Sequence, residues 1–497
     1  MSNKSKSIKN LGFSFISEIV IIAIGIILPR FYIVSYGSEV SGLLNSAKQL
    51  VVYLGLFEAG LSNVTLQALY RPIAQDDRAG VNAVLAATHH YYKKAGLWYF
   101  FGLLLLSFGY SLIVPSDINY WTVCGVIFLN GINGAINFYL LSKYKILLQA
   151  EGKNYIQTNL SMILTTLTGV VRAVLITLGY DVITVLVATF LILLTETGYI
   201  LWLIRREYQW IDLAVQPNWC AIAQRHYTLV HQIAGMVFQN TPILLVSMFC
   251  GLTAVSVYSI YRMIVTYLES VFRMLSNSVL FALGQLFQTD KDAYKTRIDT
   301  FESYYSAISF ALLSVGMHLL VSFVRLYTVG ISDANYIDPT LAFLLIIIAL
   351  LSIVRTPALN TIYFAGHFKQ TTIHAVLEAG INLVVSLLCV GQFGVYGVLF
   401  GSVVSLLYRT NQVIVYANKE LLNRSPWHTY VIYIVNIAVF VLTQFIFHTV
   451  SLPVDSYLDF IVVGCAETII SLILFLGAQS IVFPKHLRFA VNVIKKK

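Results

Sequence analysis

The feature of this sequence that most restricts its fold is a long apolar segment that carries a cation and occurs twice. The first copy is Tyr36–Arg71, and the second copy follows 214 residues later. At that constant offset Gly37 aligns with Gly251, and Lys48 aligns with Arg262. Each copy predicts a glycine turn followed by one long apolar helix with a charged side chain at membrane depth. The pattern indicates two copies of one membrane unit that face each other across a charged path.

The composition places these segments in a membrane protein with many spans. Of the 497 residues, 58% are hydrophobic and only 11% are charged, whereas a soluble protein carries about 25% charged residues. The formal net charge of +9 is better explained by basic cytoplasmic loops than by binding to nucleic acid. We therefore predict an all-α polytopic membrane protein.

The cysteines and the N-terminus add two further expectations. The five cysteines are scattered and lack CxxC spacing, so we interpret them as small apolar residues and expect neither disulfides nor a metal site. Lys4, Lys6 and Lys9 precede an apolar run that is too long for the apolar region of a signal peptide. This run is expected to remain as the first span, with its N-terminus inside.

Fourteen apolar stretches are each near the length of about 20 residues that a bilayer requires. They cover residues 11–34, 40–70, 83–114, 120–142, 156–178, 181–203, 230–250, 255–287, 299–322, 339–363, 373–392, 395–417, 429–450 and 458–483. The even number predicts that both termini lie on the same side of the membrane.

The distribution of Lys and Arg predicts that this side is the cytoplasm. With the N-terminus inside, 25 of the 32 Lys and Arg residues fall in cytoplasmic segments. Seven cations lie within or at the ends of spans: Arg30, Lys48, Arg172, Arg262, Arg273, Arg325 and Arg355. A charge that faces lipid is costly, so these side chains are expected to face the interior or to extend to the membrane surface.

The repeat predicts two six-helix lobes. Gly152 aligns with Gly366 at the same offset, so spans 1–6 correspond to spans 7–12 in the same order and orientation. The predicted domains are an N-terminal lobe (1–207), a cytoplasmic amphipathic linker (208–228), a C-terminal lobe (229–418), and spans 13 and 14 with a basic tail (426–497). The last two spans lie outside the repeat and are expected to be an appendage.

Several motifs of this chain resemble the multidrug/oligosaccharidyl-lipid/polysaccharide (MOP) exporter superfamily. They are LFEAGLSNVTLQALYRPIA in span 2 and the loops QAEGKNY and AGHFKQT after spans 4 and 10. The predicted count of fourteen spans, instead of twelve, is similar to that of the polysaccharide-transporter branch of this superfamily, which includes the Wzx-type flippases. The resemblance implies a flippase of the bacterial plasma membrane that moves undecaprenyl-pyrophosphate-linked oligosaccharides for capsule, exopolysaccharide or O-antigen synthesis. It also implies alternating access of two lobes around a cationic cavity.

The resemblance implies roles for four residues in binding the headgroup. Arg30, Lys48 and Arg262 match the spans whose arginines surround the headgroup in the lipid II flippase, and Glu39 stands where an acidic partner is found. The alternatives are that Arg30 extends to the membrane surface, and that Lys48 and Arg262 form structural ion pairs. Lysine keeps the charge of arginine but loses its bidentate fork.

Three further charged residues are candidates for the same cavity. Arg273 and Arg355 could line it, or they could brace helices; Arg273 could pair with Glu269 four residues earlier on one helix face. Glu58 is expected to neutralise Lys48 or another cation, although it lies ten residues from Lys48 along the chain.

A coupling site is implied by relatives that bind sodium with spans 7, 11 and 12. The matching positions are Asn240, Glu378 and Asn382, whose oxygens suit Na⁺ or a proton. An alternative is that Glu378 pairs with Arg355. We expect no other cofactor.

Motifs of soluble enzymes are absent from the sequence, which contains no Walker lysine motif, HExxH or GxSxG. The expected partners are the lipid-linked oligosaccharide, the bilayer and other membrane proteins of polysaccharide assembly, and a monomer suffices because one chain encloses the path. One rival is a cation-coupled drug or metabolite antiporter of the same superfamily. Another is a polysaccharide polymerase or ligase, which needs a larger outside loop than any predicted here, and a third is a scaffold.

Overall fold

The computed structural model describes residues 3–58, 61–222, 226–450 and 452–495. Within these ranges the chain is helical, without strands, which confirms the predicted all-α polytopic class. It divides into two compact units, Met1–Ser256 and Val257–Lys497. The domain boundaries predicted from the sequence stay a prediction.

The first unit contains eight helices and the start of a ninth. They are α1 Asn3–Leu54, α2 Leu61–Ala74, α3 Arg78–Ile113, α4 Tyr120–Ile136, α5 Ser142–Ala150, α6 Asn154–Thr177, α7 Val182–Glu207, α8 His226–Cys250 and α9 Leu252–Thr289. Helix α8 packs against α1, where the hydroxyls of Tyr53 and Thr241 are 2.6 Å apart. This contact makes α8 part of the first unit.

The second unit contains the rest of α9 and eight more helices. They are α10 Lys291–Tyr327, α11 Pro339–Val354, α12 Thr356–Phe364, α13 Phe368–Phe393, α14 Val395–Tyr416, α15 Trp427–Thr449, α16 Tyr457–Val482 and α17 Pro484–Lys495. Across the described ranges, twelve helical segments are long and apolar enough to cross a membrane. Predicted span 1 and the first half of predicted span 2 both lie in α1, where the non-helical backbone of Gly37 separates them. Helix α9 is not among the twelve segments, so the count of fourteen stays a prediction.

The backbone repeats its glycine turns at the predicted offset. Gly37 and Gly251 both have φ of 84°, while Gly152 has φ of 73° and Gly366 has φ of 69°. Side chains strongly disfavour this left-handed region, whereas glycine enters it freely. The alignment of the two halves therefore rests on turns that require glycine, as well as on apolar pattern.

The prediction that Tyr36–Arg71 forms one long helix is wrong. Helix α1 ends at Leu54, a 3₁₀ turn covers Gly55–Phe57, and α2 begins at Leu61. The corresponding helix α9 continues without interruption through the aligned position, which is Glu269 instead of Gly55. Glycine costs about 1 kcal/mol in a helix interior relative to alanine, so the first copy is the weaker helix at this point.

The predicted linker lies along the start of α3 in the part that the structure describes. The side-chain amide of Asn82 donates to the carbonyl of Trp210 at 3.1 Å, and the backbone N–H of Asn218 donates to the carbonyl of Ala83 at 3.0 Å. The Arg78 guanidinium lies 5.4 Å from the Trp210 ring centroid. Residues 211–219 contain no helix, so the segment is held by these contacts and does not form an amphipathic helix there.

A polar turn joins the end of α7 to the loop that contains Gly152. The Lys153 ammonium donates to the Tyr208 hydroxyl at 2.8 Å, and this hydroxyl donates to Glu151 Oε2 at 2.5 Å. Burial raises the pKa of Tyr208 to about 12, so the hydroxyl remains protonated and available as a donor at neutral pH. The glycine turn is thereby tied to the beginning of the linker.

Helices α15 and α16 pack against α10 along its length. The Ser303 hydroxyl donates to Gln479 Oε1 at 2.9 Å, and the hydroxyls of Ser314 and Thr443 are 2.7 Å apart. Interhelical hydrogen bonds between hydroxyl and amide groups are a common means of helix association in membranes. The two helices outside the repeat are thus an integral part of the second unit.

Candidate functional site

Two cations lie together in the first unit without a paired carboxylate. Lys48 is on α1 and Arg172 is on α6; they are close enough for their charges to repel, and Arg172 Nε donates to Thr189 Oγ1 at 3.0 Å. Among the side chains that the structure describes, which exclude those of residues 1–20, no ion pair within 4.0 Å includes either residue. The Lys48 residue is exposed although it lies on α1 between buried residues such as Ala47 and Leu50. This is the expected environment of a cation that lines an open cleft.

The other predicted headgroup residues of the first unit lie elsewhere on α1. Arg30 is half-buried directly after Pro29. Glu39 accepts the backbone N–H of Asp117 at 2.8 Å, so its carboxylate holds the loop between α3 and α4. The structure does not show Glu39 in contact with Lys48, and its role as an acidic partner stays a prediction.

Glu58 is bound at the interruption between α1 and α2. The Tyr92 hydroxyl on α3 donates to Glu58 Oε1 at 2.7 Å. Lys145 is the cation whose charge acts on Glu58, while Lys145 itself forms an ion pair of 2.5 Å with Glu196 on α7. Glu58 is therefore held by a neutral donor, near a cation other than Lys48.

Arg262 is paired with a carboxylate on its own helix. Arg262 Nη1 and Nη2 donate to Glu269 Oε1 and Oε2 at 3.0 Å and 3.2 Å. This bidentate pair agrees with the alternative that Arg262 forms a structural ion pair. It occupies Glu269, the carboxylate that the i,i+4 spacing predicted as a partner of Arg273. In the described part of the chain Glu269 is not bound by Arg273, whose side chain is exposed on α9 near Tyr305.

The second unit contains one buried carboxylate between two arginines. Arg355 Nη1 lies 2.6 Å from Glu378 Oε1, and Arg409 Nε lies 3.5 Å from Glu378 Oε2. The side chains are 13%, 11% and 5% exposed for Arg355, Glu378 and Arg409. Two guanidinium charges face one carboxylate, which leaves a positive charge in excess. We call these three residues the Arg355 cluster.

The fold explains how the three residues meet. Arg355 stands between α11 and α12, where the α-helical hydrogen bonding is interrupted, and Glu378 and Arg409 lie on the tightly packed pair α13 and α14. Arg355 Nε is buried without a hydrogen-bond acceptor among the described residues. An anion that reached this nitrogen would satisfy it.

The predicted coupling residues make hydrogen bonds at different places in the described structure. Asn382 is fully buried one turn after Glu378, and its amide nitrogen donates to Ser402 Oγ at 2.9 Å. Asn240 belongs to the first unit and donates to the carbonyl of Met236 on its own helix at 2.7 Å. The alternative that Glu378 pairs with Arg355 is what the structure shows, while coupling to Na⁺ or a proton stays a prediction.

Sequence reasoning missed Arg409 and Lys145 as interior charges, because both were counted among cytoplasmic cations. Arg409 lies inside the predicted span 395–417, and that position was the available signal. Its burial at 4% exposure shows that the cation belongs to the helix interior.

An apolar groove of about 400 Å³ lies beside this cluster in the second unit. It is formed by α10, α11, α14 and α15, with Phe310, Leu407 and Ile437 among its lining and Asn411 and Tyr430 as polar groups. Such a surface suits a hydrocarbon chain.

Solved structures with the same fold are transporters and a flippase. A structure of the lipid II flippase MurJ in an inward closed conformation matches with a TM-score of 0.68 and 12% identity, over 95% of this chain and 99% of that chain. An inward-facing multidrug resistance MATE family transporter of the MOP superfamily matches with a TM-score of 0.60 and 17% identity, over 80% of this chain and 93% of that chain.

No family model matches the sequence, and no curated protein matches it significantly. The structural matches show that the chain has the fold of the MOP superfamily, as the sequence motifs predicted. At these levels of identity they establish the fold alone.

Proposed function

We propose that this protein is a flippase that moves a lipid-linked oligosaccharide with a pyrophosphate headgroup across the bacterial plasma membrane. The observation that carries the proposal is the excess of cations over carboxylates inside the helices. Lys48 and Arg172 have no paired carboxylate among the described side chains, and Arg355 and Arg409 are paired there with Glu378. The likeness to a lipid II flippase over nearly the whole chain also supports the proposed flippase function.

The chemistry of the substrate explains why such an excess is useful. A pyrophosphate cannot enter hydrocarbon without partners, and arginine and lysine replace its water with charge-assisted hydrogen bonds. The unsatisfied Arg355 Nε is one donor that such an anion could use. The apolar groove beside α15 is suited to the hydrocarbon chain of the same lipid.

The biological setting belongs to the same proposal. The carrier is undecaprenyl pyrophosphate, and the oligosaccharide serves capsule, exopolysaccharide or O-antigen synthesis, together with other membrane proteins of that assembly. Both termini lie in the cytoplasm, and one chain suffices for transport. Na⁺ or a proton drives the cycle through Glu378 and Asn382, which requires release of Glu378 from Arg355.

The second candidate function is export of a drug or metabolite in exchange for a cation. The specific observation in its favour is the likeness to a multidrug resistance MATE family transporter. A cationic path favours anionic cargo over the cationic amphiphiles that a carboxylate-lined path would attract. Testing both cargo classes in one preparation separates the two candidates.

The test is flipping of a labelled lipid-pyrophosphate oligosaccharide in reconstituted proteoliposomes. Lys48→Ala and Arg172→Ala are compared with the wild type. The matched control is Lys295→Ala, near the start of α10, which changes a cation with a 40% exposed side chain. Lys48→Arg tests whether charge alone is enough. Each variant is first shown to insert and to elute as a monodisperse species.

We expect the control to flip at the wild-type rate and the two interior variants to flip at least tenfold more slowly. Partial activity of Lys48→Arg would identify charge as the relevant property of this side chain. Equal flipping by all variants would show that these cations are structural. Wild-type protein that moves no lipid-linked sugar but exports a small amphiphile would favour the antiporter.

A further inference from the structure

Three potential metal ligands from distant parts of the sequence meet at one end of the second unit. Asp299 lies on α10, His428 on α15 and His486 on α17. One ligand atom from each of them lies within 4.8 Å of the others, and each residue is half-buried. Their separation along the chain hides the group from any search for a local motif.

Both imidazoles present a nitrogen without a hydrogen bond in the described structure, and His428 Nε2 lies 3.9 Å from Asp299 Oδ1. His428 Nε2 and His486 Nδ1 are buried and have no hydrogen-bond partner among the described residues. The two rings lie close together, with centroids 5.9 Å apart, and both contact the Phe483 ring. Buried nitrogens are normally satisfied, so two of them without a hydrogen bond in one cluster of ligands are consistent with a site for a metal ion.

The surrounding charges leave room for a cation. Arg424 binds both Asp299 and Glu302, so two carboxylates face one guanidinium. Glu302 is 2% exposed and also accepts the Thr429 hydroxyl at 2.8 Å. A carboxylate that binds a metal commonly accepts hydrogen bonds from a second group, and Arg424 provides such a group to Asp299.

We propose that Asp299, His428 and His486 bind a divalent transition metal, with Zn²⁺ as the best fit. Two imidazoles and one carboxylate are a ligand set that suits Zn²⁺ with a water molecule in the fourth position. Ligand atoms in a tetrahedral zinc site lie about 3.4 Å apart, so side-chain rotations that close the present spacing slightly would form the site. Ca²⁺ and Mg²⁺, which prefer oxygen ligands, would bind poorly.

The site would fasten the C-terminal helix α17 to the body of the second unit. Without the metal, α17 packs against α10 and α16, and the His486 ring in its first turn contacts the rings of Phe483 and His428. Coordination by His486 would join this turn to α10 and α15 at the same time. The inference is independent of the transported substrate, because none of these residues was assigned to the transport path.

The experiment measures metal binding by the full-length protein in detergent after removal of any affinity tag. Zn²⁺ binding is followed by titration calorimetry, and Co²⁺ is used as a spectroscopic probe because its visible absorption reports coordination geometry. His428→Ala, His486→Ala and Asp299→Asn are compared with His448→Ala, an exposed histidine at the other end of α15. Hydrogen exchange of α17 with and without Zn²⁺ is a separate readout.

We expect one bound metal per chain, with affinity that is unchanged in His448→Ala and at least tenfold weaker in both histidine variants of the site. Zn²⁺ should slow hydrogen exchange in α17 of the wild type and have no effect in His486→Ala, which is first shown to elute as a monodisperse species. Absence of Zn²⁺ and Co²⁺ binding would overturn the proposal. Binding that is equal in wild type and the two histidine variants would overturn it as well.

Discussion

Glu378 is the residue of the second unit whose substitution we expect to lower the stability of the protein most. It faces the guanidinium groups of Arg355 and Arg409 at 2.6 Å and 3.5 Å. Glu378→Gln would leave two buried cations without a counter-charge, and breaking a buried pair in this way costs about 3–5 kcal/mol. We expect a fall in Tm of several degrees, measured by thermal unfolding of the purified protein in detergent.

The matched control is Glu207→Gln, which changes an exposed carboxylate at the end of α7. Its Tm should equal that of the wild type, because exposed charges contribute little. If Glu378→Gln were as stable as this control, the Arg355 cluster would not hold the helices together. Its role would then have to be sought in transport alone.

Tyr92 is a second residue with a specific expected effect. It is fully buried, and its hydroxyl is the donor that binds Glu58. Tyr92→Phe keeps the ring but leaves the Glu58 carboxylate without this hydrogen bond, at a cost of about 1–3 kcal/mol. Thermal unfolding of Tyr92→Phe should show this loss, whereas Tyr139→Phe, at an exposed tyrosine, should not. Equal Tm values for the two variants would contradict the assigned contact.

Among the helices, the pair α13 and α14 depends most clearly on small residues. A side chain at Gly401 would place its Cβ 2.2 Å from Ser386 Oγ and 2.8 Å from the carbonyl oxygen of Asn382. At Gly380, on the open side of α13, a Cβ would meet no atom within 4 Å. Close approach of membrane helices commonly relies on such small residues.

Alanine substitutions at these two glycines should therefore act in opposite directions. Gly401→Ala should destabilise the protein by about 1–3 kcal/mol through overpacking. Gly380→Ala should be neutral or stabilise it by up to about 1 kcal/mol, because alanine favours the helix. Both values follow from thermal unfolding of matched preparations. A stabilised Gly401→Ala variant would show that the two helices are not packed as closely as described.

Helix positions were predictable from the sequence, but helix interruptions were not. Apolar length located most of the long helices, because it depends on composition over many residues, while the orientation predicted from the charge distribution stays a prediction. The interruption at Gly55 was missed, since one glycine in an apolar run is a weak local signal. The break at Arg355 and the π-helical turn Asn137–Leu141 lie at aligned positions of the repeat. Pro357 follows the break at the start of α12, whereas no glycine or proline lies within the π-helical turn.

The candidate site was predictable in its residue types and less so in its pairings. Charged residues in apolar spans were identified one by one, because each is costly unless it has a partner. Glu378 with Arg355 was foreseen as an alternative and is confirmed. Arg262 binds Glu269 seven residues along the helix, a pairing that the usual rule of four residues does not indicate. Partner choice depends on side-chain reach and on neighbouring helices, which a single sequence does not display.

At the scale of the molecule, the two helices outside the repeat are needed by the second unit. The face of α10 that they cover carries Ser303, Ser314 and His318. The partners of these residues lie on α15 and α16. Gln479 binds Ser303, and Glu467 Oε1 lies 2.8 Å from His318 Nδ1. A repeat of six helices without this cover would expose several polar groups to lipid, where they have no water to bind.

This dependence predicts the outcome of two truncations. A chain that ends at Ser425 lacks α15, α16 and α17, and its α10 would present His318 and the serines to hydrocarbon. Each lost partner costs about 1–3 kcal/mol, and the sum is comparable to the total stability of about 5–15 kcal/mol that folded proteins have. We expect this chain to aggregate on extraction, as measured by size-exclusion chromatography. A chain that ends at Phe483 keeps α15 and α16 and should elute as a single species. A monodisperse product from the shorter chain would show that the repeat alone forms a stable fold, and that α15 and α16 were added for a role in transport.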